Sequence, residues 1–173
     1  MAGDGITDLE AVQETGGADL FVGYGGIVER AAVKEGADWF VYNYQELINT
    51  LPRLKVVVVG SGAFASAVMQ MISNNAADKS MFQGQVEMYV HDEPYQEEDE
   101  TTTTLSSIIN VQHENPKYLP DVNFGENVVA NPNLTDSVKD ADLIVLCTPH
   151  QYMYDLCKQI QSVIKPTALA MSL

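Results

Sequence analysis

Cysteine is scarce in this 173-residue chain: Cys147 and Cys157 are the only two. Two thiols can build neither a disulfide framework nor a cysteine zinc site. Cys147 falls in an apolar strand pattern and Cys157 in a helical one, and both read as reduced thiols of an intracellular protein. Basic residues are also few, nine against 24 acidic ones, for a formal net charge of −15. A surface of that sign repels phosphate backbones and anionic lipid, which argues against nucleic acid and membrane as partners. No apolar run is long enough to span a bilayer. Residues Met1 to Gly5 lack the basic start and apolar stretch of a secretory signal, and the Arg-rich character of a transit peptide. A cytoplasmic location follows, with the plastid as the alternative should residues precede Met1.

The length suits one domain, or one domain and a piece of another. Asn49-Thr50-Leu51-Pro52-Arg53 is a short polar punctuation, so the chain divides into residues 1–50 and 54–173. In the second part, Lys55-VVVV-Gly60 is a continuous β-branched run closed by glycine, the pattern of a parallel strand buried on both faces. Ala65 to Ala77 turns helical, with Val68, Met71 and Ile72 at helical spacing. Strands are expected at Val86–Val90, Asn127–Ala130, Leu143–Cys147 and Thr167–Leu173. Helices are expected at Leu105–Val111, at Thr135–Ala141 with Thr135 as N-cap, and at Tyr152–Val163. This alternation implies an α/β fold with a doubly wound parallel sheet. The acidic stretch Asp92 to Glu100, followed by Thr101 to Thr104, reads as a solvated surface loop. The first part is mixed too: strands at Leu20–Gly23 and Trp39–Tyr42, helices at Ile27–Glu35 and Tyr44–Asn49. These pieces are too few and short to close a core unaided.

Gly60-Ser61-Gly62-Ala63-Phe64-Ala65 fits G-x-G-x-x-G/A between the buried strand and the helix. Gly60 permits the turn out of the strand, Gly62 lets backbone approach a pyrophosphate, and Ala65 keeps helix and strand close. The helix N-terminus then presents free N–H groups and the positive dipole end to the phosphates. Asp92 follows the second strand, 92 − 65 = 27 positions past the last small residue, against a typical offset of about 20. A carboxylate there would accept from the adenosine ribose and repel a 2′-phosphate, favouring NAD over NADP. Its competing role is to open the acidic loop. His91 would lie near the adenine. Thr148-Pro149-His150-Gln151 follows the fourth strand on the carboxyl edge of the sheet, where ligands bind in this architecture. His150 could serve a ligand or cap the next helix, and His113, before Pro116, could be structural or catalytic.

Three motifs together resemble the N-terminal domain of NAD-dependent glycerol-3-phosphate dehydrogenase. They are Val59-GSGAFASAV-Val68, Ile108-INVQHENPKYLP-Pro120 and Leu143-IVLCTPHQY-Tyr152. The resemblance covers Leu54 to Leu173. It implies a Rossmann-type domain that binds NAD(H), in an enzyme, homodimeric at full length, that interconverts dihydroxyacetone phosphate and glycerol 3-phosphate. The family's loop usually reads GSGNWG, so Phe64 keeps an aromatic in the tryptophan's place and Ala65 replaces the last glycine. His91 corresponds to the family's aromatic beside the adenine, and Tyr152 to its cofactor-contacting phenylalanine. The family continues its fifth strand into Ser-Leu-Ile-Lys-Gly, whose lysine binds substrate, and then into a helical second domain. These 173 residues stop at Ser172-Leu173, so no catalytic residue is assigned and the chain reads as the cofactor-binding fragment of the enzyme. The rival reading is a non-catalytic dinucleotide-binding module.

The first part has a resemblance of its own. Gly3-DGITDLEA-Ala11, Gly17-ADLFVGYGG-Gly26 and Ala37-DWFVYNYQELI-Ile48 look like the tail of a phosphoserine-phosphatase-like haloacid dehalogenase domain. That resemblance implies Asp4 as a Mg²⁺ ligand supported by Asp8, in keeping with the preference of Mg²⁺ for carboxylate oxygen. The family's nucleophile motif would lie upstream of Met1, and the plain alternative for Asp4 and Asp8 is a solvated Asp-rich loop. A phosphatase tail joined to a dehydrogenase start resembles the bifunctional fusion enzymes of certain algae.

Overall fold

The computed structural model describes residues 1–16, 18–96 and 102–173, which form two compact units, Met1–Leu51 and Pro52–Leu173. Among the described residues no helix is long and apolar enough to cross a membrane.

The first unit runs β1 (Ala2–Gly3), α1 (Ile6–Thr15), β2 (Val22–Tyr24), α2 (Ala31–Gly36), β3 (Trp39–Val41) and α3 (Tyr44–Thr50). Its three strands are parallel, in the order β1-β2-β3. Leu9, Phe21 and Val33 make a small buried core, with Val12, Ala37 and Phe40 packed against it. The segment after Gly5 is not the Asp-rich loop that the sequence also allowed. It is helix α1, because Asp8 accepts the Gly5 backbone N–H at 3.1 Å and so fixes the first turn. Helix α2 starts at Ala31, four residues later than expected from Ile27. Ile27 and Val28 follow a Gly-Gly pair and are exposed, and β-branched residues without a burial partner or a cap do not extend a helix.

The second unit holds β4 (Val56–Val59), α4 (Ala63–Asp78), β5 (Val86–Tyr89), β6 (Pro94–Gln96), β7 (Thr102–Thr104) and α5 (Leu105–Gln112). After these come β8 (Glu114–Asn115), β9 (Leu119–Asn123), β10 (Val128–Asn131), α6 (Leu134–Val138), β11 (Leu143–Leu146), α7 (His150–Ile160) and β12 (Leu169–Ser172). Five of the strands form a parallel sheet in the order β10-β5-β4-β11-β12. Its centre is the valine run. Val56 and Val58 pack with Met69, Met88 and Ile109 in one core, and Val57 and Val59 with Leu134, Ile144 and Ile160 in another. Period-two alternation thus sends successive valines to opposite faces, each covered by helices. At about 1.5–3 kcal/mol per buried valine side chain, this run is a main source of the sheet's stability. The chain builds outward from β4 through β5 to β10, then returns across β4 to β11 and β12. That reversal is the switch point at which α/β sheets open a crevice for ligands.

Several expectations need correction. Met71 is 61% exposed, and Met69 fills the buried position instead. Residue 71 lies on the side of α4 away from Ala65, Val68 and Ala76, which share the buried stripe at helical spacing. The N-cap of α6 is Asn133, not Thr135: Asn133 Oδ1 accepts from Asp136 N at 3.1 Å and from Thr135 Oγ1 at 2.9 Å. Helix α7 begins at His150, two residues before Tyr152, since Pro149 supplies a rigid entry. Strands β6 and β7 pair antiparallel where a loop was expected, as threonine-rich segments readily do. The acidic core of that loop, residues 97–101, lies outside the described residues.

Candidate functional site

Gly60 leaves β4 with φ 134°, a region that side chains with a Cβ rarely enter. A Cβ there would run into the carbonyl of Cys147, whose carbon would be 3.0 Å away, and would meet Ala65 Cβ at 3.4 Å. Cys147 N in turn donates to Val59 O at 2.9 Å and Gly60 N to Tyr89 O at 3.1 Å. The glycine is therefore required by the close passage of β4, β5 and β11, and it sits at the switch point itself. Ala65 is 1% exposed, which fits its expected part in holding α4 against the strand.

Gly62 differs. Its φ is −72°, and nothing lies within 4 Å of a Cβ placed there. Its smallness serves no internal packing, so its open side faces whatever approaches from outside. Gly62 is the N-cap of α4, with no side-chain cap, and the first helical bond runs from Ser66 N to Gly62 O at 2.9 Å. The N–H groups of Ala63, Phe64 and Ala65 consequently have no acceptor within the helix. A 16-residue helix with uncapped N–H groups at the carboxyl edge of a parallel sheet is suited to an anion. Phe64 is 62% exposed on that first turn. Ser61 is buried.

The loop is held from elsewhere. Asn115, wholly buried, donates through Nδ2 to Ser61 O at 2.8 Å and to Ser66 Oγ at 2.9 Å, and its Oδ1 accepts from Tyr118 N at 3.3 Å. Sequence reasoning gave Asn115 no role. Its available signal was an amide inside the His113-Glu-Asn-Pro-Lys-Tyr118 motif, a residue type that is buried only when its hydrogen bonds are met. His113 ends α5 with φ 54°, donating from N to Ile109 O at 2.9 Å and accepting Phe124 N at 2.8 Å. Among the described residues its buried Nδ1 has no partner, nor has the buried Thr148 Oγ1 beyond β11.

His91 and Asp92 follow β5 and are exposed. Asp92 Oδ1 accepts from Ser106 N at 3.0 Å, so the carboxylate secures the first turn of α5, while among the described residues Oδ2 has no hydrogen-bond donor. The neighbouring Glu93 takes Lys117 Nζ at 2.5 Å and Tyr118 OH at 2.7 Å. Those hydrogen bonds, Lys117 foremost, hold the Glu93 carboxyl below the usual carboxylate range. Tyr152 is 55% exposed on the first turn of α7, on the same sheet edge as Gly60. Burial pushes the Cys147 thiol up, and its side chain packs against the core that holds Met69 and Met88. A groove of about 450 Å³, lined by Ile144, Leu146, Tyr154, Cys157, Ile160 and Ala170 among others, lies apart from the loop residues.

In the first unit Asp4 is paired with Arg30, whose Nη1 reaches its carboxylate at 2.8 Å and its carbonyl at 2.6 Å. Among the described residues no group of three or more Asp, Glu, His or Cys comes together as a metal site would require.

Comparison with known proteins supplies a family. The model for the N-terminus of NAD-dependent glycerol-3-phosphate dehydrogenase matches residues 55–173. Glycerol-3-phosphate dehydrogenase [NAD(+)] 2 of Candida albicans is 45% identical over 119 residues, 68% of this chain and 31% of that protein. Glycerol-3-phosphate dehydrogenase [NAD(+)] of Cuphea lanceolata is 40% identical over 122 residues, 70% of this chain and 32% of that protein. Among solved structures, DsGPDH of Dunaliella salina superposes with a TM-score of 0.79 at 42% identity, over 100% of this chain and 30% of that one. The chain spans about a third of the length of the curated relatives it matches.

Proposed function

This chain belongs to the NAD-dependent glycerol-3-phosphate dehydrogenase family, residues 55–173 being its N-terminal NAD-binding domain, and from that premise we propose how its own residues hold the dinucleotide. The observation that carries the reading is the pairing of two unlike glycines. Gly60 is demanded by the fold, whereas Gly62 is demanded by nothing inside it and leaves an open approach to the N-terminus of α4. The residues fit the cofactor on that ground, as a cradle that a Cβ at Gly62 would narrow.

Ser61, Gly62, Ala63 and Phe64 then offer backbone N–H groups to the pyrophosphate, and Ala65 keeps α4 close enough to do so. Asp92 uses its free oxygen for the adenosine ribose, with His91 beside the adenine, and its charge disfavours a 2′-phosphate. Tyr152 lies on the nicotinamide side of the switch point. When bound, the reduced cofactor supplies hydride for dihydroxyacetone phosphate, giving glycerol 3-phosphate reversibly in the full-length enzyme. These residues contribute orientation, which accounts for much of the acceleration in a hydride transfer between bound partners.

We further read the first unit as the end of a phosphoserine-phosphatase-like haloacid dehalogenase domain, from its motifs at Gly3–Ala11, Gly17–Gly26 and Ala37–Ile48. The Dunaliella salina chain matches over all 173 residues, so both units have counterparts in that one chain. Mg²⁺ at Asp4 would require Arg30 to turn away and further carboxylates to join. A homodimeric assembly and a cytoplasmic or plastid location belong to the same proposal for the full-length protein. Calorimetric titration with NADH tests the core of it. Saturable one-to-one binding, with NADPH clearly weaker, is the expected result. Equal affinity for the two would remove the role given to Asp92, and no binding would remove the proposal.

A further inference from the structure

We propose that Asn115 is the positioning residue of the dinucleotide loop, fixing the direction of its N–H groups from a different element. The inference rests on the reading of Gly60 to Ala65 as the pyrophosphate site. Asn115 lies 54 residues from Ser61 in sequence, is 0% exposed, and splits its amide between the two ends of the turn. One hydrogen of Nδ2 goes to Ser61 O at 2.8 Å and the other to Ser66 Oγ at 2.9 Å. The peptide groups between those anchors carry the N–H groups of Gly62 to Ala65. Holding Ser61 O on one side of the peptide 61–62 directs the Gly62 N–H to the other, since the peptide is planar and trans. Asn115 Oδ1 is meanwhile occupied by Tyr118 N, which sets which end of the amide faces the loop. Tyr118 and Lys117 also bind Glu93, next to Asp92. The hairpin β8–β9 thereby links the phosphate loop to the segment that bears the ribose carboxylate.

The test replaces the donor without changing shape. Asn115→Asp keeps the acceptor for Tyr118 N but, ionised, offers no hydrogen to Ser61 O. At pH 8.5 this variant should bind NAD⁺ at least about tenfold more weakly than the parent chain. Its Ser66 amide, which bonds Gly62 O, should exchange at least about tenfold faster with no ligand present, while the amides of β4 and β5 keep their protection. A buried carboxyl favours its neutral form, which regains one O–H donor. The affinity gap should therefore shrink to about threefold or less at pH 5.5, a recovery that general loosening of the fold would not produce. Ser66→Ala, which removes one of the two acceptors and should fold normally, should weaken binding about threefold. Parent-like affinity in both variants at pH 8.5, or faster exchange spread over the whole sheet, would overturn the proposal. If the parent chain itself bound no NAD⁺, the reading of the loop would fail and take this inference with it.

Discussion

Substituting alanine at Gly60 and at Gly62, one at a time, should separate folding from binding. At Gly60 the new methyl group meets two costs. A φ of 134° is strained for alanine, by about 1–3 kcal/mol. Contact with the Cys147 carbonyl forces β4 and β11 apart or bends the loop, an overpacking cost of about 1–3 kcal/mol. Together these give a destabilisation of about 2–6 kcal/mol. The second unit has 173 − 51 = 122 residues. For that size roughly 3–4 °C of Tm is lost per kcal/mol, so its melting point should fall by about 6–24 °C. At Gly62 the φ of −72° suits alanine and no atom lies within 4 Å of the new methyl. The gain from a stiffer unfolded chain and the loss of a better N-cap residue are each about 0.5–1 kcal/mol and opposite in sign, so stability should hardly change. NADH affinity, however, should fall tenfold or more as the backbone is kept from the pyrophosphate. Circular-dichroism melts and NADH titrations of both variants make the comparison. A Gly60→Ala protein that melts with the parent, or a Gly62→Ala protein that binds with parental affinity, would refute the division of labour between the glycines.

Three more outcomes can be checked. Asp142 accepts Lys165 Nζ and Lys55 N, both at 2.8 Å, and Lys165 foremost holds its carboxyl below the usual range. Its folded-state value is lower than its unfolded one, so its contribution is complete above about pH 4 and is lost as pH falls through the folded value. Asp142→Asn should cost about 1 kcal/mol at pH 7 and flatten the loss of stability on acidification, read by urea unfolding from pH 6 to pH 3. Asn133→Ala should cost about 1 kcal/mol by removing the cap of α6, whereas Thr135→Ala should cost less, reversing the order expected from sequence. Asp92→Asn keeps an acceptor for Ser106 N, so Tm should hold, while the loss of charge should narrow the preference for NADH over NADPH by about tenfold. A fall in Tm with no change in preference would assign Asp92 to the first turn of α5 alone.

What could be read from sequence follows from how local its causes are. Four valines closed by glycine announce a strand buried on both faces, because burial on two sides leaves no polar alternation. The strand–glycine–helix order and the family motifs likewise locate the loop between β4 and α4. The clamp on that loop was invisible because Asn115 and Ser61 are 54 positions apart and meet only through packing. Asp92 illustrates a third case: its position was correctly noted, but the tie to Ser106 depends on where α5 begins in space. The cap of α6 was misplaced by two residues because Asn133 and Thr135 are both good capping types, and only hydrogen-bond geometry distinguishes them. Val68, Met71 and Ile72 share a helical spacing, but that spacing alone does not fix the phase of α4, in which Met69 is buried and Met71 exposed.

At 18.9 kDa the chain suits backbone-amide NMR, and the perturbation of its spectrum by NADH addresses the central claim residue by residue. The largest shifts should fall on Ser61 to Ala65, with a second set at His91 and Asp92 and smaller ones near Tyr152. Shifts confined to the first unit or to the groove beside α7, or a spectrum unchanged by NADH, would contradict the account.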